Sequence, residues 1–232
     1  MMGLSDADWT AILLSLRVAS VATTVSLPLG VALAYILARC RFPGRTLLDG
    51  IIHLPLVMPP VVTGYLLLLS FGRKGPIGSF LDQCCGLVFS FRWTGAALAA
   101  AVMGLPLMVR AIRLTIEGLD RRLEQAAGTL GARPLFVFAT VTLPLAAPGI
   151  LAGSILSFAK ALGEFGATIT FVSNIPGETQ TIPSAIYSFT QVPGGDASAL
   201  RLTAVSIAIS LVALIASEIL ARRLNRQVAG FS

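Results

Sequence analysis

The sequence predicts an all-α fold, a polytopic transmembrane helix bundle of about five spanning helices, with residues 1–232 forming a single domain. Only 12% of the residues are charged, whereas soluble domains carry about 25%, so there is too little polar surface for a water-soluble globule. The mean hydropathy is +0.84. A helix needs roughly 20 apolar residues to cross a bilayer. Five apolar blocks are near or beyond that length: residues 11–38, 50–71, 93–116, 147–172 and 200–221.

The first block, residues 11–38, is longer than one span requires, and we expect Pro28 and Gly30 to kink it. Arg17 lies near its start. Its side chain either snorkels to the interface or packs against the N-terminal turn, or it belongs to an anion path. The next segment, residues 39–45, combines three arginines with a Pro-Gly turn. This composition predicts a cytoplasmic loop.

The second block, residues 50–71, contains Pro55, Pro59 and Pro60, which make its helix irregular. Irregular backbone at membrane depth is tolerated where it is buried in protein or lines a water-filled cavity. The stretch HLPLVMPPVV is therefore either part of a pore lining or a kink used only for packing. The following residues, 72–92, are rich in glycine and polar side chains and predict a loop.

The third block begins near Trp93, and the fourth contains Lys160 and Glu164. Residues four apart share a helix face and can form an ion pair. An ionisable residue inside a membrane helix is a functional hypothesis by default, whereas a neutralised pair is also typical of a structural or gating lock. Both interpretations stay open. In the next loop, residues 173–199, the segment TIPSAIYSF predicts a short helix or a re-entrant segment.

The distribution of basic residues predicts the orientation of five crossings. With the segment between the third and fourth blocks inside, the N-terminus lies outside and the C-terminus in the cytoplasm. The external loops then hold only Arg73, Lys74 and Arg92, with Arg201 at the outer edge. The internal segments hold 11 of the 17 Lys and Arg residues, namely Arg39, Arg41, Arg45, Arg110, Arg113, Arg121, Arg122, Arg133, Arg222, Arg223 and Arg226.

The sequence lacks the common catalytic signatures. It contains no G-x-x-x-x-G-K-[ST] ATP-binding loop, no H-E-x-x-H and no G-x-S-x-G. One histidine, His53, and separated cysteines exclude common zinc sites, and we expect the neighbouring Cys84 and Cys85 to be free. The net charge of +6 is explained by basic residues beside apolar blocks, so nucleic-acid binding is not inferred. We expect a transporter that takes its energy from a partner, and not an enzyme.

The stretch from residue 117 to residue 146 is the expected contact with that partner. Ala126, Ala127 and Gly131 give a short helix a face with almost no side-chain bulk, which lets another backbone approach closely. Gly131 suits a helix stop, and Pro134 suits the first turn of a second helix. Alternatively, these small residues only pack against the chain's own helices.

The same stretch carries a family pattern. Permease subunits of bacterial ATP-binding-cassette importers share a cytoplasmic loop of the form E-A-A-x3-G-x9-I-x-L-P. Here residues 125–127 read QAA, Gly131 follows after three residues, and residues 141–144 read VTLP after nine more. Gln125 takes the glutamate position, with Glu124 one residue earlier. In this spacing the chain resembles a type I importer permease.

Three further segments narrow the resemblance to molybdate importer permeases. They are GEFGATITFVSNIPGETQTIPSAIY at residues 163–187, HLPLVMPPVVTGYLLL near residue 53, and LPLMVRAIRLTIEGLD near residue 105. Sulfate and thiosulfate permeases are close relatives and remain alternatives, as does a tungstate permease. From another class, a membrane scaffold that recruits an ATPase without transporting is also compatible with the sequence.

The resemblance implies a homodimer of permeases in the bacterial cytoplasmic membrane, moving molybdate by alternating access. It implies two cytoplasmic ATPase subunits and an extracytoplasmic oxyanion-binding protein as partners. It implies no cofactor in this chain, since ATP and magnesium would be bound by the ATPase. By position in the motif, the residues expected to couple to the ATPase are Glu124, Gln125, Ala126, Ala127, Gly131, Leu143 and Pro144.

The translocation path is predicted from the chemistry of the substrate. Helix N-termini and neutral donors can hold a divalent oxyanion without arginines. A path should also bind weakly, because tight binding would slow release. The predicted path or gate residues are Thr63, Gly64, Lys160, Gly163, Glu164, Gly166 and Thr168.

Overall fold

The computed structural model describes the backbone of residues 4–229 and the side chains of residues 4–213, 215 and 219. Over that range the chain forms a helix bundle, which confirms the predicted all-α class. The predicted internal arginines Arg222, Arg223 and Arg226 lie outside the described side chains. The helices are α1 (Asp6–Arg39), α2 (Arg45–Val57), α3 (Pro60–Phe71), α4 (Pro76–Cys85), α5 (Trp93–Gly118), α6 (Arg121–Thr129), α7 (Pro134–Val137), α8 (Leu143–Leu145), α9 (Ala147–Leu162), α10 (Gly166–Val172), α11 (Ile182–Thr190) and α12 (Asp196–Ala229).

The long helix α1 begins at a capping box, in which Ser5 Oγ accepts from the Asp8 amide and Asp8 Oδ2 accepts from the Ser5 amide. Pro28 lies inside α1, and the helix continues past it to Arg39. The guanidinium of Arg17 stacks 3.8 Å above the ring of Trp93. Arg17 therefore packs on an aromatic ring in a cation–π contact, which the sequence did not predict.

Helices α1 and α5 run in the same direction. Arg17 of α1 contacts Trp93 at the start of α5, and Arg39 at the end of α1 donates to the carbonyl of Leu119, just past the end of α5. Two apolar clusters fill the contact between them. One joins the first halves of both helices, and the other joins their second halves.

The second predicted span is not one helix. Helices α2 and α3 meet at an angle of 114°, because Met58 adopts extended backbone and the successive prolines Pro59 and Pro60 remove two amide donors. Arg45 at the start of α2 pairs with Glu117 near the end of α5. Phe71 at the end of α3 packs edge-on against Phe89, just before α5. The bent pair thus returns the chain from the far end of α5 to its beginning.

The prediction that residues 72–92 form a loop is wrong in part, because this segment contains helix α4. Pro76 occupies the first turn of this helix, and Gly86 ends it in a left-handed conformation with φ of +64°. Cys84 and Cys85 lie at its end, and among the described residues both are free, as is Cys40. This agrees with the prediction of free cysteines.

Helix α9 runs antiparallel to α5 and packs closely against it. Gly149 of α9 lies against Thr115 near the end of α5, while Ser157 lies against Gly104 nearer its middle. Small residues let the two backbones approach. The fourth predicted span is broken after Leu162, and α10 begins only at Gly166. Lys160 and Glu164 consequently do not share one helix face, although they do form a pair.

The segment TIPSAIYSF forms the short helix α11, which was one of the two predicted alternatives, the other being a re-entrant segment. Helix α12 starts beside the start of α1, where Arg201 Nη2 lies 3.5 Å from Asp8 Oδ2. In the described residues, three helices are long and apolar enough to cross a membrane, and up to five spans are counted if each bent pair is one span.

Candidate functional site

Helix α6 is the short helix predicted from the small residues of the central stretch. Asp120 caps its start by accepting a hydrogen bond from the Arg122 amide at 2.9 Å. At its end, Gly131 adopts φ of +82°, and the amides of Gly131 and Ala132 bond back to the carbonyls of Gly128 and Ala127. This is a Schellman motif, in which glycine provides the left-handed turn that other residues adopt only under strain.

The small face of α6 is free in the described chain. Every residue of the helix remains at least partly exposed, and Gln125 and Ala126 are exposed. A side chain built at Gly131 would meet no atom within 4 Å. The alternative that these residues pack against the chain's own helices therefore fails for Ala126 and Gly131. Ala127 is half-buried and turns partly toward the bundle.

Glu124 points inward, away from this exposed face. Its carboxylate lies 3.1 Å from Arg39 Nε and accepts a hydrogen bond of 2.8 Å from Thr142 Oγ1. Of the residues expected to couple to the ATPase, Glu124 is thus held inside the chain. It does not share the surface formed by Gln125, Ala126 and Gly131.

The last two predicted coupling residues lie beyond a bend. Residues Phe138–Thr142 form one π-helical turn, followed by α8 with Leu143 and Pro144. Leu143 is half-buried and lines an apolar cleft of about 640 Å³ against α1. Pro144 is exposed in the first turn of α8. The helical segment Pro134–Leu145 meets α9 at 70°, so these residues connect α6 to the bundle and do not extend its exposed face.

The predicted path residues of α3 and α10 meet at one helix crossing. Gly64 lies directly against the backbone of Ala167, and Gly166 lies against the side chain of Pro60. Thr63 and Thr168 are buried beside them. Thr168 Oγ1 donates to the Phe165 carbonyl at 2.8 Å. In the part of the chain that the structure describes, the Thr63 hydroxyl has no hydrogen-bond partner.

The buried carboxylate of Glu164 joins this crossing to α9. Lys160 Nζ donates to Glu164 Oε2 at 2.8 Å, and the Ala167 amide donates to Glu164 Oε1 at 2.9 Å. Glu164 is only 2% exposed. Gly163, in the break between α9 and α10, is exposed and crowded by nothing closer than 3.8 Å. The pair therefore bridges the break and holds the start of α10, as a structural or gating lock would.

One exposed residue and one aromatic pair were not predicted from the sequence. Leu130 is 88% exposed at the end of α6, and an apolar residue next to the motif could have indicated it. Phe165, just before α10, and Tyr187 of α11 contact each other with ring centroids 5.2 Å apart and a tilt of 45°. They are 22 positions apart in the sequence, so no local pattern predicts their contact. Helix α6 lies where α1 and α5 end, whereas the crossing packs against the first halves of those helices.

Comparisons with known proteins identify the family of the chain. A family model described as the binding-protein-dependent transport system inner membrane component matches residues 26–226. The molybdenum transport system permease protein ModB of Escherichia coli K12 is 60% identical over 229 residues, covering 99% of this chain and 100% of that protein. ModB of Haemophilus influenzae is 56% identical, with coverage of 94% and 96%. The sulfate permease protein CysT of Salmonella typhimurium is 37% identical, with coverage of 93% and 77%.

Among solved structures, a bacterial alginate ABC transporter in complex with a pentasaccharide-bound periplasmic protein has a TM-score of 0.74 to this chain. The match covers 95% of this chain and 80% of that one, at 17% sequence identity. At such identity the likeness supports the fold alone. Together with the family match, it leads to one conclusion: this chain belongs to the family of binding-protein-dependent transport system inner membrane components.

Proposed function

We propose that this chain is the membrane-spanning permease subunit of an ATP-driven importer and that its substrate is molybdate. The observation that carries the first part is α6, a capped helix with an exposed small-residue face at one end of a membrane bundle. Such a face fits a groove on another protein. The substrate follows from the relatives named as molybdenum permeases, of which two are more than half identical to this chain.

In this proposal a cytoplasmic ATPase, which binds ATP and magnesium, holds α6 and moves it during its cycle. The chain itself contributes no cofactor. Movement of α6 switches the bundle between two states, one open to each side of the membrane, by rigid-body rearrangement. The N-terminus lies outside and the C-terminus in the cytoplasm, in the orientation that the basic residues predict. An extracytoplasmic binding protein delivers the oxyanion.

The translocation path runs beside the α3–α10 crossing, between two copies of this chain. One face of α3 packs on α10, while its opposite face exposes Val61, Tyr65 and Leu69. That exposed face is available to a second copy, and in a homodimer it would line the central passage. Thr63, Gly64, Gly166 and Thr168 lie just behind it, and Lys160, Gly163 and Glu164 flank the break that could let α10 move.

The test is uptake of labelled molybdate by cells that lack their own permease and carry this chain with its ATPase and binding protein. We expect uptake that falls when tungstate is added and resists an excess of sulfate, because the relatives that share most identity are molybdenum permeases. A matched control expresses the same complex without this chain. Absence of uptake while the ATPase remains at the membrane would contradict transport and leave only a scaffold.

A sulfate permease is the second candidate, because CysT shares 37% of its residues with this chain over most of its length. The two substrates are tetrahedral divalent oxyanions of similar charge. The same assay separates them, since a modest concentration of sulfate would abolish molybdate uptake if the path served sulfate.

A further inference from the structure

We infer that Glu124 is a positioning residue that forms an internal strut with Arg39 and Thr142, and that this strut passes the movement of α6 to α1 and α9. The inference rests on the proposed function, in which a partner ATPase moves α6. It assigns Glu124 to the inside of this chain and leaves the ATPase contact to the exposed residues of α6.

The strut is a three-residue contact between elements that are far apart in sequence. Arg39 Nε lies 3.1 Å from Glu124 Oε2 and 3.2 Å from Glu124 Oε1. Thr142 Oγ1 donates to Glu124 Oε1 at 2.8 Å. One carboxylate therefore binds the last turn of α1 and the π-helical turn that precedes α8.

Two further hydrogen bonds join the start of α6 to the end of α1. Arg39 Nη2 donates to the Leu119 carbonyl at 3.3 Å, just before α6 begins. Arg121 Nη2, from the first turn of α6, donates to the Ala38 carbonyl at 3.3 Å. Both acceptors are carbonyls at helix ends, which otherwise lack intrahelical partners. The start of α6 and the end of α1 thus hold each other through reciprocal bonds.

Burial makes the link stiff. The Arg39 side chain is 7% exposed, the Glu124 side chain is 20% exposed, and Thr142 is 1% exposed. Separating a shielded ion pair leaves charges without partners in a poorly hydrated place, which is costly. The planar guanidinium also fixes the direction of its hydrogen bonds. Because α6 cannot slide past α1 without breaking these bonds, its displacement is transmitted.

At Thr142 the strut contacts the π-helical turn that precedes the bend into α9. Thr142 is the last residue of the π-helical turn, and π-helical turns are rare and concentrate at functional sites. Phe138, at the other end of that turn, packs edge-on against Tyr35 of α1 with ring centroids 4.8 Å apart. The next helices meet at 70°. A pull on Glu124 therefore acts on α1 and on the bend that leads into α9.

The experiment measures transport and ATP hydrolysis in the same proteoliposomes, which contain this chain, its ATPase and the binding protein. The variants are Arg39→Glu, Glu124→Arg, the double exchange and the milder Glu124→Gln. Arg45→Glu is the matched control, because Arg45 is also paired at the same end of the bundle but is 36% exposed. Hydrogen exchange of residues 121–129 in the same assembled complexes reports the hold on α6 without requiring transport.

We expect each single reversal to keep the ATPase bound and to lower molybdate uptake per ATP hydrolysed by about tenfold, within the range typical of coupled sites. Exchange at α6 should become faster. The double exchange should restore much of the uptake per ATP and much of the slow exchange at α6. For both quantities, Glu124→Gln should lie between the unaltered chain and the single reversals, and Arg45→Glu should match the unaltered chain.

Loss of the ATPase in Glu124→Arg, without the same loss in Arg39→Glu, would overturn the inference, because Glu124 would then touch the partner directly. Unchanged uptake per ATP and unchanged exchange in every single variant would also overturn it. If the unaltered complex fails to transport but the reversals loosen α6 and the double exchange tightens it, the proposed function fails while the strut stands.

Discussion

Gly131 meets two requirements: its backbone adopts a left-handed conformation, and, in the proposed complex, its missing side chain leaves room for the ATPase. Its φ of +82° lies in the left-handed region, and its surroundings are open. A side chain there would not clash within the chain, but most residues adopt this φ only at a cost of about 1–2 kcal/mol. Strain and lost docking can therefore be separated by the choice of substitution.

We predict that Gly131→Leu lowers retention of the ATPase on the purified complex by about tenfold, which corresponds to roughly 1.4 kcal/mol. Gly131→Asn should stay close to the unaltered chain, because asparagine tolerates the left-handed region. Ala126→Leu adds bulk to the exposed helix face without that strain, and it should also weaken retention. Full retention of the ATPase by both leucine variants would show that α6 does not dock through its small face.

Lys160 and Glu164 form a pair of unequal burial, with side chains 30% and 1% exposed. Lys160→Met leaves the buried carboxylate of Glu164 with one hydrogen bond, from the Ala167 amide, and without its cation. We predict a loss of about 3 kcal/mol in unfolding free energy for Lys160→Met. The double variant Lys160→Met/Glu164→Gln should be more stable than Lys160→Met alone. Equal stability losses for the single and double variants in thermal unfolding would show that the pair contributes no lock.

The α3–α10 crossing depends on the missing side chain of Gly64. A Cβ at this position would lie 2.9 Å from the Cα of Ala167 and closer still to its carbonyl oxygen. We predict that Gly64→Val destabilises the chain by about 1–3 kcal/mol, because backbone is displaced when a packed contact is overfilled. Gly163→Ala is the control in the neighbouring break, where the nearest atom is 3.8 Å away. Thermal unfolding that is unchanged in Gly64→Val would contradict the close approach.

A strained backbone position lies at the end of α10. Ser173 adopts φ of +66° and ψ of −162°, a region occupied almost only by glycine. Thr179 holds this turn, since its hydroxyl donates to the Ser173 carbonyl and accepts from the Ile175 amide. We predict that Ser173→Gly changes stability by about 1 kcal/mol or more in the favourable direction. A lower unfolding temperature in Ser173→Gly would contradict the assigned strain.

The elements that sequence predicted best are those governed by local chemistry. Apolar length predicted α1 and α5, and glycine and proline predicted the stop at Gly131 and the start at Pro134. The break between α2 and α3 was predicted only as an irregularity, because adjacent prolines indicate a disruption but not its 114° angle. The break after Leu162 was missed, since Lys160 and Glu164 have helical spacing whether or not a helix continues.

In the candidate sites too, features set by the local sequence were predicted and features set by distant contacts were not. The exposed face of α6 followed from three small residues and the motif spacing. The direction of Glu124 did not, because it is set by Arg39 and Thr142, which lie 85 and 18 positions away. Likewise Gly64 and Gly166 were each plausible alone, and only packing shows that they belong to one crossing.

At the scale of the whole molecule, the helix that we propose contacts the ATPase is separate from the residues that we propose line the path of the substrate. Helix α6 lies at the end of the bundle where α1 and α5 finish, and the α3–α10 crossing lies toward the end where they begin. Since α1 and α5 run the full distance in parallel and α9 packs antiparallel to α5, displacement at one end can be carried rigidly to the other. In the proposed transporter, the ATPase would therefore act on the path without touching the oxyanion.

The most direct measurement is accumulation of labelled molybdate in proteoliposomes that contain this chain and its ATPase, with ATP enclosed and the binding protein outside. We predict accumulation that stops when ATP is omitted and persists in excess sulfate. It should also fall by about tenfold in Glu124→Arg while ATP hydrolysis continues. Accumulation that is the same without ATP, or that modest sulfate abolishes, would contradict an ATP-driven molybdate permease.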